Sequence, residues 1–98
     1  MHDLPQLDPV IHGQVRLAIM AILSSVAEAD FTYLRDHTGC TDGNIGAHLL
    51  KLEEARYVVM SKRFAARKPV TTYRLSAQGR KAFASYVRNL RRILVHGV

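Results

Sequence analysis

Residues 40–59 read CTDGNIGAHLLKLEEARYVV, and the fold turns on how this stretch divides. Its first residues are small and polar, with Gly43 and Gly46 among them, and they are poor helix formers. From Ile45 the apolar residues Ile45, Leu49 and Leu52 recur at i, i+4 and i+7, the period of one helix face. Thr41 is placed to cap that helix, and Asp42 lies in its first turn, where negative charge suits the helix dipole. Gly43, Asn44, Ala47 and Lys51 fall on the opposite face, and all but Lys51 are small. A helix that opens so weakly gives up local stability at the end where something else must come close.

Working upstream, "EADFTYLRDHTG" (residues 28–39) predicts a short helix, capped by Asp30 or Thr32. Phe31 and Leu34 point inward, and Gly39 is the stop. Helix, tight glycine turn, helix is the spacing of a helix-turn-helix. Further upstream, Asp8-Pro9 predicts the start of a first helix. Along it Ile11, Val15, Ala18, Ile19, Ile22 and Val26 form one apolar face, and Gly13 is where it can break in two. Its other face, with Val10, Gly13, Leu17, Met20, Ala21 and Ser24, is almost uncharged.

Downstream, "YVVMSKRF" and "VTTYRL" are β-branched and aromatic runs joined by "AARKP", which predicts a hairpin with a basic tip. Pro69 is placed at a strand edge. Ser76 then caps a last helix to about residue 95, striped by Phe83, Val87, Leu90 and Leu94 and widened by Tyr86 and Ile93. The order is α-α-α-β-β-α, with room for a short strand before the second helix. That is a mainly α, α+β winged helix-turn-helix. In it, small residues at the start of the third helix let the backbone settle into the ~12 Å major groove of DNA.

The charge pattern points the same way. The 98 residues carry a net charge of +6, unevenly spread. Residues 1–54 hold all eight acids and three bases, a balance of −5, whereas residues 55–98 hold eleven bases and no acid. Solubilising surfaces usually mix both signs; this asymmetry fits a polyanion-facing surface. The length fits one domain, residues 1–98. One cysteine, Cys40, excludes an internal disulfide framework. The start, "MHDLPQLDP", lacks the basic-then-apolar order of a signal peptide, and residues 17–27 fall short of the ~20 needed to span a bilayer. A cytoplasmic protein without membrane attachment is expected.

Residues 41–58 resemble the recognition segment of MarR/ArsR-like winged-helix transcriptional regulators. "RKPVTTYRLSAQGR" (residues 67–80) resembles the wing, second strand and last-helix start of that group's small winged-helix DNA-binding branch. "IHGQVRLAIMAIL" (residues 11–23) resembles its first helix. Two glycines usual in that pattern are replaced, by Arg56 after the third helix and by Ala66 in the wing. The resemblance implies a homodimeric regulator of a pseudo-palindromic double-stranded operator. The helix of residues 41–55 would enter the major groove, and the wing of residues 63–71 would follow the backbone or minor groove.

The candidate DNA contacts are Thr41, Asp42, Gly43, Asn44, Ala47, His48, Lys51, Arg63, Arg67, Lys68 and Thr71. Asn44 can pair with an adenine edge or serve as a second cap. Thr41 is both cap and phosphate contact, and Lys51, Arg63, Arg67 and Lys68 suit phosphates. His48 flanks the buried stripe and suits packing.

The expected dimer interface joins the first and last helices through Val10, Leu17, Met20, Ala21, Tyr86, Leu90 and Ile93, because a chain this short has few elements to cover them. A small-molecule effector, if one acts, would bind at that interface. No catalytic motif, cofactor or metal site is expected. Glu53 and Glu54 diverge on a helix, and His37 and Cys40 straddle a turn with no further ligands. The competing reading is a winged-helix module for protein–protein contact.

Overall fold

The structure, a computed structural model, describes residues 4–96. Its elements are α1 (Gln14–Ser24), β1 (Ala29–Asp30), α2 (Phe31–Thr38), α3 (Asp42–Glu54), β2 (Val58–Ala65), β3 (Lys68–Leu75) and α4 (Ala77–His96). The winged-helix order is borne out, and the short strand before the second helix is present. The sheet is antiparallel with order β1-β3-β2. In it, β2 and β3 pair from Val58↔Leu75 to Ala65↔Lys68, and β1 meets β3 at Ala29↔Tyr73 and Asp30↔Thr72.

Both helix-turn-helix helices start and stop by explicit hydrogen bonds. Asp30 Oδ1 accepts the Tyr33 N–H at 2.7 Å, and Thr41 Oγ1 accepts the Asn44 N–H at 3.2 Å. At the end of α2, Gly39 is left-handed with φ 69°. There Cys40 N–H donates to the Arg35 carbonyl and Gly39 N–H to the Asp36 carbonyl, a Schellman turn. The end of α3 repeats the pattern without glycine. Tyr57 N–H donates to the Leu52 carbonyl and Arg56 N–H to that of Glu53, each at 2.9 Å. Arg56 takes the left-handed place with φ 65°.

The hairpin closes in the same costly conformation. Ala66 and Arg67 have φ 50° and 65°, and positive φ at both central residues is the signature of a type I′ turn. This turn matches the twist of the strands, which is why it is adopted although neither residue is glycine. Pro69 lies opposite Phe64, three residue pairs beyond Thr72, the last β3 residue that pairs with β1. No neighbouring strand there needs its missing N–H.

The core comes from every element. Ile11, Ile19, Met20, Leu23, Leu34, Ile45, Leu49 and Leu52 are fully or almost fully buried, and Val58, Tyr73, Leu75 and Tyr86 close it. Three expectations are corrected here. First, Asp8-Pro9 opens a separate turn, with Ile11 and His12 N–H groups donating to the Asp8 carbonyl. Gly13, at φ 147°, separates that turn from α1, and Val26 lies outside the helix, exposed. The break at Gly13 is real, and only one turn precedes it.

Second, α1 is not left half bare. It packs against α2, α3, β3 and α4 at once, so Met20 is core and Leu17 is half-buried against it. Third, the stripe of α4 is turned. Gly79 and Tyr86 are buried, with Ala82, Asn89 and Ile93 half-buried on the same side, while Val87 and Leu94 are exposed. The Tyr86 hydroxyl shares a 2.8 Å hydrogen bond with His12 Nδ1, which draws it inward. Met20 and Tyr86 therefore belong to the chain's own core and are not free to meet a second copy.

One junction fastens α4 to the rest. Ser76 N–H donates to the Tyr57 carbonyl at 3.0 Å, and Ser76 Oγ donates to the Arg56 carbonyl at 2.6 Å. The same Oγ accepts the Gly79 N–H at 2.9 Å as the α4 cap. A Cβ on Gly79 would lie 2.0 Å from the Tyr57 oxygen, so only glycine permits the approach. The Tyr57 hydroxyl donates to Asp8 Oδ2. That bond, with burial, pushes the Tyr57 pKa up to about 12.

Two substitutions at this junction should move stability in opposite directions. Arg56→Gly should stabilise the fold by a few tenths to ~1 kcal/mol by removing left-handed strain. Gly79→Ala should destabilise it by ~2 kcal/mol or more, because backbone must shift to admit the methyl. Urea denaturation measures both. A lower stability for Arg56→Gly, or an unchanged one for Gly79→Ala, would contradict this geometry.

Candidate nucleic-acid interface

The outward face of α3 is built as the sequence suggested. Ile45, Leu49 and Leu52 are turned fully inward, which leaves Gly43, Asn44, Ala47 and Lys51 exposed on the other side. Thr41, at the cap, and Asp42 are exposed as well, and His48 is half-buried at the flank. The Asn44 backbone N–H is satisfied by Thr41, so capping does not consume its side-chain amide. A surface of Gly, Asn and Ala presents almost no bulk, and the backbone of the first two turns can approach a partner closely.

Asp42 is the least expected member of such a surface, because a carboxylate repels phosphate. The structure shows how its charge is met. Arg35 on α2 donates to Asp42 Oδ1 at 2.9 Å through an Nη and to Asp36 Oδ1 at 3.0 Å through Nε. These bonds, Asp42 first and then Asp36, raise the Arg35 pKa. One guanidinium thus pairs with both acids beside the α3 N-terminus, offsetting half of their charge, and bridges the turn between the two helices. Arg35 escaped the sequence reading because its partner is seven residues away across a turn.

The wing supplies the other half. Lys62, Arg63, Phe64, Ala65, Ala66, Arg67 and Lys68 are all exposed, and Thr71 is half-buried at its base. Arg63, expected as a phosphate contact, is engaged by Glu28 at 2.8 Å. That surface pair holds little energy, but it sets Arg63 apart from Arg67 and Lys68, which form no ion pair among the described residues. The hairpin brings its cations together at one end of the sheet, whereas Lys51 stands on α3.

Two further exposed groups were missed by the sequence reading. Leu50 on α3 is 54% exposed and Phe64 on the wing 78% exposed. Leu50 lies between the inner stripe and the outer face, so periodicity alone assigns it to neither. Phe64 shares its strand face with Val58 and Met60, which do pack on the core, and only the reach of the hairpin beyond the helices leaves it bare. Away from this surface, His37 stacks on Tyr33 with ring centroids 3.8 Å apart, and its Nδ1–H donates to the Tyr33 carbonyl at 2.9 Å. It is engaged within α2. No helix among the described residues is long and apolar enough to cross a membrane.

Comparison with known proteins agrees with this geometry. A protein of Methanocaldococcus jannaschii, itself uncharacterised, is 33% identical over 78 residues, covering 80% of this chain and 85% of that one. A transcriptional regulator homologue from Pyrococcus horikoshii OT3 superposes with a TM-score of 0.81 at 26% identity, over 87% of this chain and 84% of that one. A protein assigned to the MarR family of transcriptional regulators, from Enterococcus faecalis V583, superposes with a TM-score of 0.76. Its identity is 18%, over 90% of this chain and 79% of that one, which speaks for the fold alone. The winged helix DNA-binding domain family model matches residues 15–94, from α1 almost to the end of α4. The chain belongs to the winged helix DNA-binding domain family, as its MarR/ArsR-like motifs implied.

Proposed function

We propose that the chain is one winged-helix domain acting as a sequence-specific regulator of transcription, a homodimeric repressor on a pseudo-palindromic duplex operator. The observation that carries this reading is the exposed face of α3. It is small and uncharged from Gly43 to Ala47, bounded by Lys51, with its one acid already paired to Arg35. In the major groove that face lets Asn44 reach a base edge, for which its amide matches adenine. Thr41, Lys51, Arg67 and Lys68 meet phosphates and set the register without reading sequence. The wing follows the adjacent backbone or minor groove, with Arg63 joining once Glu28 releases it.

The dimer rests on α4. A compact chain of this length has a radius of gyration of about 13 Å, whereas this one has 14.8 Å and extends 59 Å along its longest axis. Elements project beyond the core, and α4 shows 39% of Val87, 73% of Leu94 and 69% of Val95 to solvent. With half-buried Phe83 and Leu90 they continue one stripe, which a two-fold copy would cover. Leu90, Ile93, Val10, Leu17 and Ala21 remain candidates beside it. Two α3 helices would then stand about one DNA turn, ~34 Å, apart. An effector, where one acts, has an open pocket of about 350 Å³ between the N-terminal segment and α4, bordered by Asp8, Tyr57, Tyr86 and Asn89.

Binding should be dominated by phosphate neutralisation, so log affinity for duplex DNA should fall linearly with log salt. Arg67→Ala or Lys68→Ala should weaken all sequences alike and reduce that slope by up to ~1 each. Asn44→Ala should instead relax preference at one base pair per half-site, by ~1–3 kcal/mol of discrimination. No duplex binding at low salt would overturn the reading and favour a protein partner.

The oligomeric state is tested at Leu94. Leu94→Glu places a charge on an exposed position of the monomer, so folding should survive while sedimentation shifts from dimer to monomer. Leu17→Glu is the weaker probe, since Leu17 packs on its own core. A wild-type monomer at micromolar concentration, or a dimeric Leu94→Glu protein, would contradict the α4 interface.

A further inference from the structure

Among the described residues Phe64 is the most exposed large hydrophobic side chain, at 78%, and its placement is not that of a stray surface residue. Opposite it in the hairpin stands Pro69, and side chains directly across a ladder share a face. The two form a small apolar pair one step behind the Ala65↔Lys68 closing pair. The tip beyond them is held by two left-handed residues that are not glycine, Ala66 and Arg67. A tight I′ turn fixes the register and keeps the Phe64 ring from sliding along the strand.

The direction of the ring follows from strand alternation. Val58, Met60, Lys62 and Phe64 share one face of β2, with Leu75, Tyr73, Thr71 and Pro69 opposite them on β3. At the Val58 end this face covers the helical core. At the Phe64 end the helices no longer reach it, so the ring points to their side of the molecule with nothing of its own chain to cover it. Of the neighbouring cations, Lys62 shares the ring's face, Arg67 sits in the turn, and Lys68, paired with Ala65, lies on the opposite face; all three are exposed and form no ion pair among the described residues. An aromatic ring set among free cations suits a polyanion with an apolar interior.

We propose that Phe64, backed by Pro69, is an apolar wedge with which the wing enters the minor groove of duplex DNA. This rests on the DNA-binding reading and adds a contact that charge does not make. Two residue steps from the tip amount to about 7 Å of strand, comparable with the ~7.5 Å depth of the minor groove. With the wing in the groove, the cations meet the phosphates on its two rims and the ring packs on sugars and base edges. Apolar side chains of this kind are used as wedges by other minor-groove proteins.

The test measures affinity for a short random-sequence duplex across a salt series, for wild type, Phe64→Ala, Phe64→Leu and Arg67→Ala. Phe64→Ala should bind about tenfold more weakly at every salt concentration, the loss expected for uncovering a large apolar side chain. Its log–log salt slope should equal that of wild type, because no charge is lost, whereas Arg67→Ala should flatten the slope. Phe64→Leu should recover most of the affinity. Netropsin, which occupies the minor groove, should weaken wild type more than Phe64→Ala. All four proteins should melt alike, since neither side chain is packed in the core.

If wild type binds and Phe64→Ala binds equally well, the wedge is wrong and the DNA reading stands. If wild type does not bind duplex at low salt, the DNA reading itself falls. If Phe64→Ala changes sedimentation but not DNA affinity, the ring meets protein and the proposal is overturned.

Discussion

The carbonyl of Tyr57 is where the molecule is tied together. It lies one residue past a left-handed arginine, at the end of α3 and the start of the wing. Ser76 N–H donates to it, and α4 passes close enough that Gly79 can carry no side chain. Through the Tyr57 hydroxyl the same residue holds Asp8 in the N-terminal turn. The angle between α3 and the wing, and the departure of α4, are therefore set at one junction, where Arg56 and Tyr57 meet Ser76 and Gly79. On the proposed DNA-binding reading, α3 and the hairpin have to keep a constant separation, and the backbone hydrogen bonds at their joint hold it.

The same logic explains why strain is accepted at three non-glycine positions. Left-handed backbone costs a β-carbon-bearing residue roughly 1 kcal/mol, and Arg56, Ala66 and Arg67 all bear it. Two of the three are arginines. Position 56 places a cation at the C-terminus of α3, where the helix dipole is negative, and position 67 places one at the wing tip. Charge is gained at the points where glycine would have been the easier residue.

Much of this was legible in the residues. Caps at Thr41 and Ser76, the stop at Gly39 and the stripe Ile45–Leu49–Leu52 each follow from local chemistry and stand where that chemistry put them, and of the two cap candidates for α2, Asp30 and Thr32, Asp30 takes the place. The exposed face of α3 followed because a buried stripe defines its opposite. Less legible was whatever depends on what an element meets. The turn at Asp8-Pro9 satisfies helix-start rules, yet Gly13 interrupts it. On α4 two overlapping stripes fit the period equally well, and the His12–Tyr86 hydrogen bond, spanning 74 positions, favours one of them. Arg35 and Glu28 were invisible as partners because each acts across a turn or a sheet edge.

The central claim is that one surface, made of the outward face of α3 and the wing, is where duplex DNA lies. Backbone amide shifts followed by NMR during titration with a duplex test it residue by residue. The account predicts the largest changes at Thr41 to Lys51 and from Lys62 to Thr71 (excluding Pro69, which has no amide), with the α4 stripe around Leu94, assigned to the dimer, little affected. Changes concentrated on α4, with Asn44, Ala47 and Arg67 unmoved, would contradict it.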